Sequence, residues 1–141
     1  MKKTGINKLN NDTSSTRFKI LIVDDDRSTI DALRISLESE NYEVLEAYNG
    51  DSAIKKAGSV PLDLILLDIM LPDITGYEIC SRLKKNPKTW SVPIIMLTGM
   101  SSASDKMAGL DLGADDYITK PFDQNELKTK IRIALQRSRS K

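Results

Sequence analysis

At 141 residues the chain suits one domain, long enough to bury a proper core. A hydrophobic share of 40% and a charged share of 29% are those of an ordinary soluble globular protein. A formal net charge of +1 argues against wholesale electrostatic binding to nucleic acid or to an anionic membrane, and no apolar run has the length to span a bilayer. Lys2 and Lys3 are followed by no apolar segment, which argues against a signal peptide. A single cysteine, Cys80, excludes an internal disulfide and suits a reducing cytoplasm. It falls in an amphipathic helical stretch, where it reads as a small buried hydrophobe rather than a nucleophile. The chain has no histidine. That removes Ser-His-Asp and Cys-His catalysis and histidine-ligated zinc, and leaves oxygen ligands and hard cations such as Mg²⁺.

Residues 1–17 are rich in Lys, Asn, Ser and Thr without sustained periodicity, and read as a flexible polar tail. The first strand is predicted over 18–23, running directly into Asp24-Asp25-Asp26. Ser28 is a plausible N-cap of a helix reaching about Ser39, with Asp26 as a first-turn acid. A second strand follows over 42–47, then an Asn49-Gly50 turn and a short helix over 51–57 ended by Gly58. The third strand, over 62–67, is apolar on both faces from Leu64 to Leu67, the pattern of a buried parallel strand. It delivers Asp68, and Pro72 then turns the chain out of the sheet. A third helix covers 76–85, a fourth strand 93–97 ending at Thr98-Gly99, and a fourth helix 102–112 stopped by Gly113. A brief strand over 116–119 runs into Lys120-Pro121, and a last helix covers 125–137. Lys84, Lys85 and the basic stretch over 137–141 read as solvated charge, with 139–141 as a C-terminal tail.

Five βα repeats with short connections predict an α/β fold, (βα)5, with a doubly wound five-stranded parallel sheet. No G-x-G-x-x-G or G-x-x-x-x-G-K-[ST] segment is present, which leaves the flavodoxin-like strand order 2-1-3-4-5. That order collects Asp24, Asp25, Asp68, Thr98 and Lys120 at the carboxyl ends of neighbouring strands, around one crevice. Carboxylates packed so closely repel, by about 4 kcal/mol per pair at about 4 Å with an effective dielectric near 20. Lys120 and a divalent metal would offset that repulsion. The set then reads as half of a phosphoryl-transfer site, with one carboxylate as nucleophile and Thr98 donating to a phosphoryl oxygen.

The segments Ile20-Leu21-Ile22-Val23-Asp24-Asp25-Asp26, Leu67-Asp68-Ile69-Met70-Leu71-Pro72, Leu97-Thr98 and Tyr117-Ile118-Thr119-Lys120-Pro121-Phe122 resemble the receiver domain of two-component response regulators, the CheY-like superfamily. The resemblance covers about Lys19 to Arg137, and a receiver domain is expected over 18–138. It implies Asp68 as phosphoacceptor, and a Mg²⁺ site (Mn²⁺ as substitute) formed by Asp24, Asp25, Asp68 and the backbone carbonyl of Met70. Within that site Asp25 matches a direct ligand and Asp24 one acting through water. Thr98 matches the switch hydroxyl, Tyr117 the switch aromatic, and Lys120 the phosphate-binding lysine. The Lys120–Pro121 bond matches a position commonly cis. Met70 and Met100 match positions that modulate the lifetime of the acyl phosphate.

Gly99, where many relatives carry alanine, and Thr75, in place of the usual Asp or Asn before Gly76, are departures that remove no reacting group. The implied function is a signalling switch, not an enzyme acting on other molecules. The phosphoryl group would come from the phosphohistidine of a sensor kinase or a histidine phosphotransfer protein. The output would be a changed surface over helix four, strand five and helix five, read by a downstream protein or by a second copy of the chain. Neither direct nucleic-acid contact by this chain alone nor a membrane is expected. The chain is either a stand-alone receiver or the receiver portion of a longer protein. Two other readings stay open here. One is a phosphorylation-independent receiver-like interaction module. The other is a phosphatase of the haloacid dehalogenase type, whose Asp-x-Asp spacing Asp24-Asp25-Asp26 contains, although the following Thr or Val and a cap domain are missing.

Overall fold

The structure is a computed structural model that describes residues 17–99 and 113–139. The predicted helix over 102–112, Met100, and the tails before residue 17 and beyond 139 lie outside the described residues. Five strands, β1 (Lys19–Val23), β2 (Glu43–Ala47), β3 (Leu64–Asp68), β4 (Ile94–Thr98) and β5 (Asp116–Thr119), pair in parallel in the order β2-β1-β3-β4-β5. This is the expected 2-1-3-4-5 order. The described helices are α1 (Arg27–Ser39), α2 (Gly50–Ser59), α3 (Gly76–Lys85) and α4 (Gln124–Arg139), the last being the helix predicted over 125–137.

The strand sequences explain the layering. Side chains alternate across a strand, so Ile20, Ile22, Leu64, Leu66, Ile95 and Leu97 face α1 and α4. Leu21, Val23, Ile65, Leu67, Ile94 and Met96 face α2 and α3. β3 and β4 are buried throughout, as a central parallel strand with helices on both faces must be. Cys80 is fully buried in the α2–α3 layer, and burial pushes its thiol up to about 11. Its thiolate is therefore scarce at neutral pH, which agrees with a packing role.

Several helix ends differ from expectation. Asp26, not Ser28, caps α1: its carboxylate accepts the Ser28 N–H at 3.0 Å and the Ser28 hydroxyl at 2.7 Å. A two-oxygen carboxylate can take both donors and the Thr29 hydroxyl as well, so the serine becomes a donor to the cap instead of the cap itself. Asn41, at φ 66°, is the left-handed residue after α1. Asn49 caps α2 by accepting the Ser52 N–H at 2.8 Å, and the helix runs through Gly58 to Ser59. The stop is imposed by Pro61, which biases Val60 to the extended conformation it adopts.

Thr75 caps α3, its hydroxyl accepting the Glu78 N–H at 3.2 Å. Lys84 is not solvated charge. Its side chain is 18% exposed, and Nζ donates to the Val92 carbonyl at 2.8 Å and to Asp115 Oδ2 at 3.3 Å. Among the described residues no helix is long and apolar enough to cross a membrane.

Candidate functional site

Register decides which side chains meet. Val23 lies opposite Leu67 and Asp68 opposite Leu97, so Asp24 and Thr98 emerge beside Asp68 at the same edge of the sheet. Thr98 lies opposite Thr119, which delivers Lys120 one residue further on. The ladder extends past the strand ends through Asp24 N–H to Ala47 O (3.1 Å), Ile69 N–H to Leu97 O (3.2 Å) and Lys120 N–H to Thr98 O (2.7 Å). These bonds fix the backbone under each functional side chain. The Lys120–Pro121 peptide is cis, as the resemblance implied.

The carboxylates of Asp24, Asp25 and Asp68 each offer an oxygen lying within 4.8 Å of the others. Asp24 is fully buried and Asp68 nearly so, while Asp25 is exposed. Asp24 Oδ1 accepts the Asp26 N–H at 2.9 Å, and its Oδ2 accepts from Lys120 Nζ at 2.8 Å. Lys120 Nζ also stands 3.6 Å from Asp68 Oδ1, which the Met70 N–H approaches at 3.4 Å. The ammonium thus bridges two buried acids.

Burial pushes the Asp68 carboxyl up to about 6, helped by the Asp24 charge and opposed by Lys120 and the Met70 N–H. For Lys120, burial pulls the ammonium down. Its hydrogen bond to Asp24 and the charge of Asp68 outweigh that and hold it above its ordinary value. With all groups ionised, three carboxylates and one lysine leave two negative charges uncompensated around an all-oxygen donor set. Such a set fits a small hard divalent cation.

Of the other expected residues, Thr98 is 3% exposed at the end of β4. Tyr117 is half-buried on β5 opposite Met96. Its ring lies 5.4 Å from Lys130 Nζ, which also donates to the Tyr117 carbonyl at 2.8 Å. Met70 is 63% exposed beside Asp68. A Cβ on Gly76 would stand 2.4 Å from the Asp68 carbonyl oxygen, so α3 starts against the backbone of the acid itself. Sequence reasoning missed that contact and the tertiary role of Asp73, whose carboxylate reaches the amides of α2. The Pro72-Asp73 turn was the only local signal for it.

The sequence profile of the response regulator receiver domain matches residues 20–132. The chain belongs to this family. Response regulator ArlR of Staphylococcus saprophyticus is 50% identical over 123 residues, covering 87% of this chain and 54% of that protein. The alkaline phosphatase synthesis transcriptional regulatory protein PhoP of Bacillus subtilis is 44% identical over 120 residues, covering 85% of this chain and 49% of that protein. The receiver therefore spans about half the length of the curated relatives it matches.

Among solved structures, a CheY-like response regulator receiver domain protein from Methanospirillum hungatei aligns with a TM-score of 0.82 and 34% identity, over 89% of this chain and 98% of that one. The receiver domain of the sensor histidine kinase PA1611 from Pseudomonas aeruginosa aligns with a TM-score of 0.80 and 29% identity, over 86% and 99%. That structure carries a magnesium ion coordinated in its active-site cleft. Receiver domains are phosphorylation-based switches of two-component systems rather than enzymes acting on other substrates, and this receiver carries the acidic pocket in which its family binds Mg²⁺.

Proposed function

We propose that this receiver is switched by transfer of a phosphoryl group from a partner's phosphohistidine to Asp68. The observation that carries the reading is the cluster itself: three carboxylates within 4.8 Å, with Lys120 bridging Asp24 and Asp68. A carboxylate oxygen of Asp68 attacks phosphorus, a P–O bond forms, the P–N bond to the donor imidazole breaks, and the imidazole takes up a proton as it leaves. Asp24, Asp25, Asp68 and the Met70 backbone carbonyl would hold Mg²⁺, with Mn²⁺ as a substitute, and the ion would supply positive charge that offsets the carboxylates and the charge on the transferred group. Lys120 exchanges part of its contact with Asp24 for a phosphoryl oxygen, and the Thr98 hydroxyl donates to another.

The product carries about −1.5 to −2 added charges at Asp68. Thr98 moves towards that charge, and the Tyr117 ring turns into the space it leaves. The signalling surface that the resemblance implies, the predicted helix over 102–112 with β5 and α4, then changes for a downstream protein or a second copy of the chain. The donor is a sensor histidine kinase or a histidine phosphotransfer protein, in the cytoplasm. Residues 18–138 form the receiver, flanked by polar tails over 1–17 and 139–141. Met70 and Met100 set how readily water reaches the acyl phosphate.

The test is chemical. After incubation with phosphoramidate and Mg²⁺, borohydride reduces an aspartyl phosphate to homoserine. Homoserine at position 68 supports the reading. Homoserine at another position, or none in a chain that binds Mg²⁺, contradicts it.

A further inference from the structure

The loop between β3 and α3 is fastened to α2, a helix from which β3 separates it in the chain. Asp73 Oδ1 accepts the Gly50 N–H at 2.8 Å, and its Oδ2 accepts the Asp51 N–H at 2.9 Å. These are the first two amides of α2, among those a helix cannot satisfy from within. Asn49, the N-cap, serves Ser52 instead, so Asp73 completes the cap from another part of the chain. The two amide bonds hold the Asp73 carboxyl below its ordinary range, and it is ionised at neutral pH.

Ile74 reinforces the junction. A Cβ on Gly50 would lie 2.4 Å from Ile74 Cγ1, so the loop packs directly on the helix start where Gly50 has no side chain. At its other end the loop is pinned by the Gly76 N–H, which donates to the Ile69 carbonyl at 2.7 Å. Met70 lies between these two anchors, next to the carboxylate cluster.

We propose that Asp73 is a positioning residue of the metal site, fixing through α2 the loop that presents the Met70 carbonyl to the cation. This rests on the reading of Met70 and the three acids given above. Coupling is reciprocal: if anchoring the loop on α2 favours the ion, the bound ion must favour the anchored loop. Mg²⁺ bound at Asp24, Asp25 and Asp68 should then protect the Gly50 and Asp51 amides, which belong to another element.

The test uses the full chain, native, Asp73→Ala and Asp73→Asn. Calorimetric titration with Mg²⁺ gives the dissociation constant, and hydrogen exchange with and without Mg²⁺ reads the two amides. Asp73→Ala is expected to weaken Mg²⁺ about tenfold, the scale typical of groups that support a metal's ligands. Asp73→Asn, which keeps one accepting oxygen, should fall between. In the native chain Mg²⁺ should slow exchange at Gly50 and Asp51, and in Asp73→Ala it should not. A native dissociation constant in both variants overturns the inference. So does native exchange at the two amides that Mg²⁺ leaves unchanged, a measurement that needs no variant to fold. A native chain that binds no Mg²⁺ overturns the reading of the site, and this inference with it.

Discussion

Asp68 is held between opposing influences, and the balance has a sign that can be measured. Burial and Asp24 raise its carboxyl to about 6 from an ordinary value of 3.8, while Lys120 works against them. The folded state therefore binds this proton more tightly than the unfolded chain. The resulting stability is fully present below about 3.8 and is lost as pH rises through about 6. Without divalent cation, Asp68→Asn should exceed the native chain in stability by on the order of 1–2 kcal/mol at neutral pH. The two should converge near pH 4, as urea unfolding at a series of pH values would show. A stability gap that does not vary with pH would contradict the assignment of the strain to Asp68. At the rim of the same site Met70 offers an exposed thioether with no group to orient water. Met70→Asn should shorten the phosphate lifetime several-fold, followed as loss of the adduct mass with time. An unchanged lifetime would remove Met70 from that role.

At the scale of elements, the site depends on how closely α3 approaches the end of β3. An added Cβ at Gly76 meets main-chain atoms, the Asp68 carbonyl oxygen at 2.4 Å and Ile69 Cα at 2.8 Å, not a flexible side chain that could move aside. Gly76→Ala should therefore cost about 1–3 kcal/mol of stability and weaken Mg²⁺ binding together. Gly99→Ala, where an added Cβ meets nothing within 4 Å, should leave both nearly unchanged and serves as the control in the same melts and titrations. Elements whose signals were local could be read directly: α3 and β5 have the bounds expected from the sequence, 76–85 and 116–119. The apolar runs likewise marked the strands, and the five βα repeats gave the sheet order that brings Asp24, Asp25, Asp68 and Lys120 together.

What could not be read was a choice between neighbouring caps in one case and contacts with distant partners in the others. Asp26 displaces Ser28 as a cap because a carboxylate outcompetes a hydroxyl for several donors at once. Lys84 is drawn in by Val92 and by Asp115, which also accepts the Ile94 N–H at 2.8 Å. Asp73 acts on amides 22 and 23 residues away in sequence. Periodicity carries no record of such contacts.

At the scale of the whole molecule, both faces of one parallel sheet are covered by helices, and the acidic site sits where the strands end. The family match over 20–132 falls inside the predicted domain of 18–138. A chain cut to 18–138 should thus fold and accept phosphate at the native rate, compared by phosphoramidate time courses at equal Mg²⁺. A loss of more than a few-fold would assign the tails a part in the site.

If the acidic cluster makes Asp68 a metal-dependent phosphoacceptor, the decisive measurement is intact mass after incubation with acetyl phosphate and Mg²⁺, for the native chain and for Asp68→Asn. One phosphoryl adduct is expected on the native chain alone, abolished by a chelator. An adduct on Asp68→Asn, or none on a folded native chain that binds Mg²⁺, would contradict it.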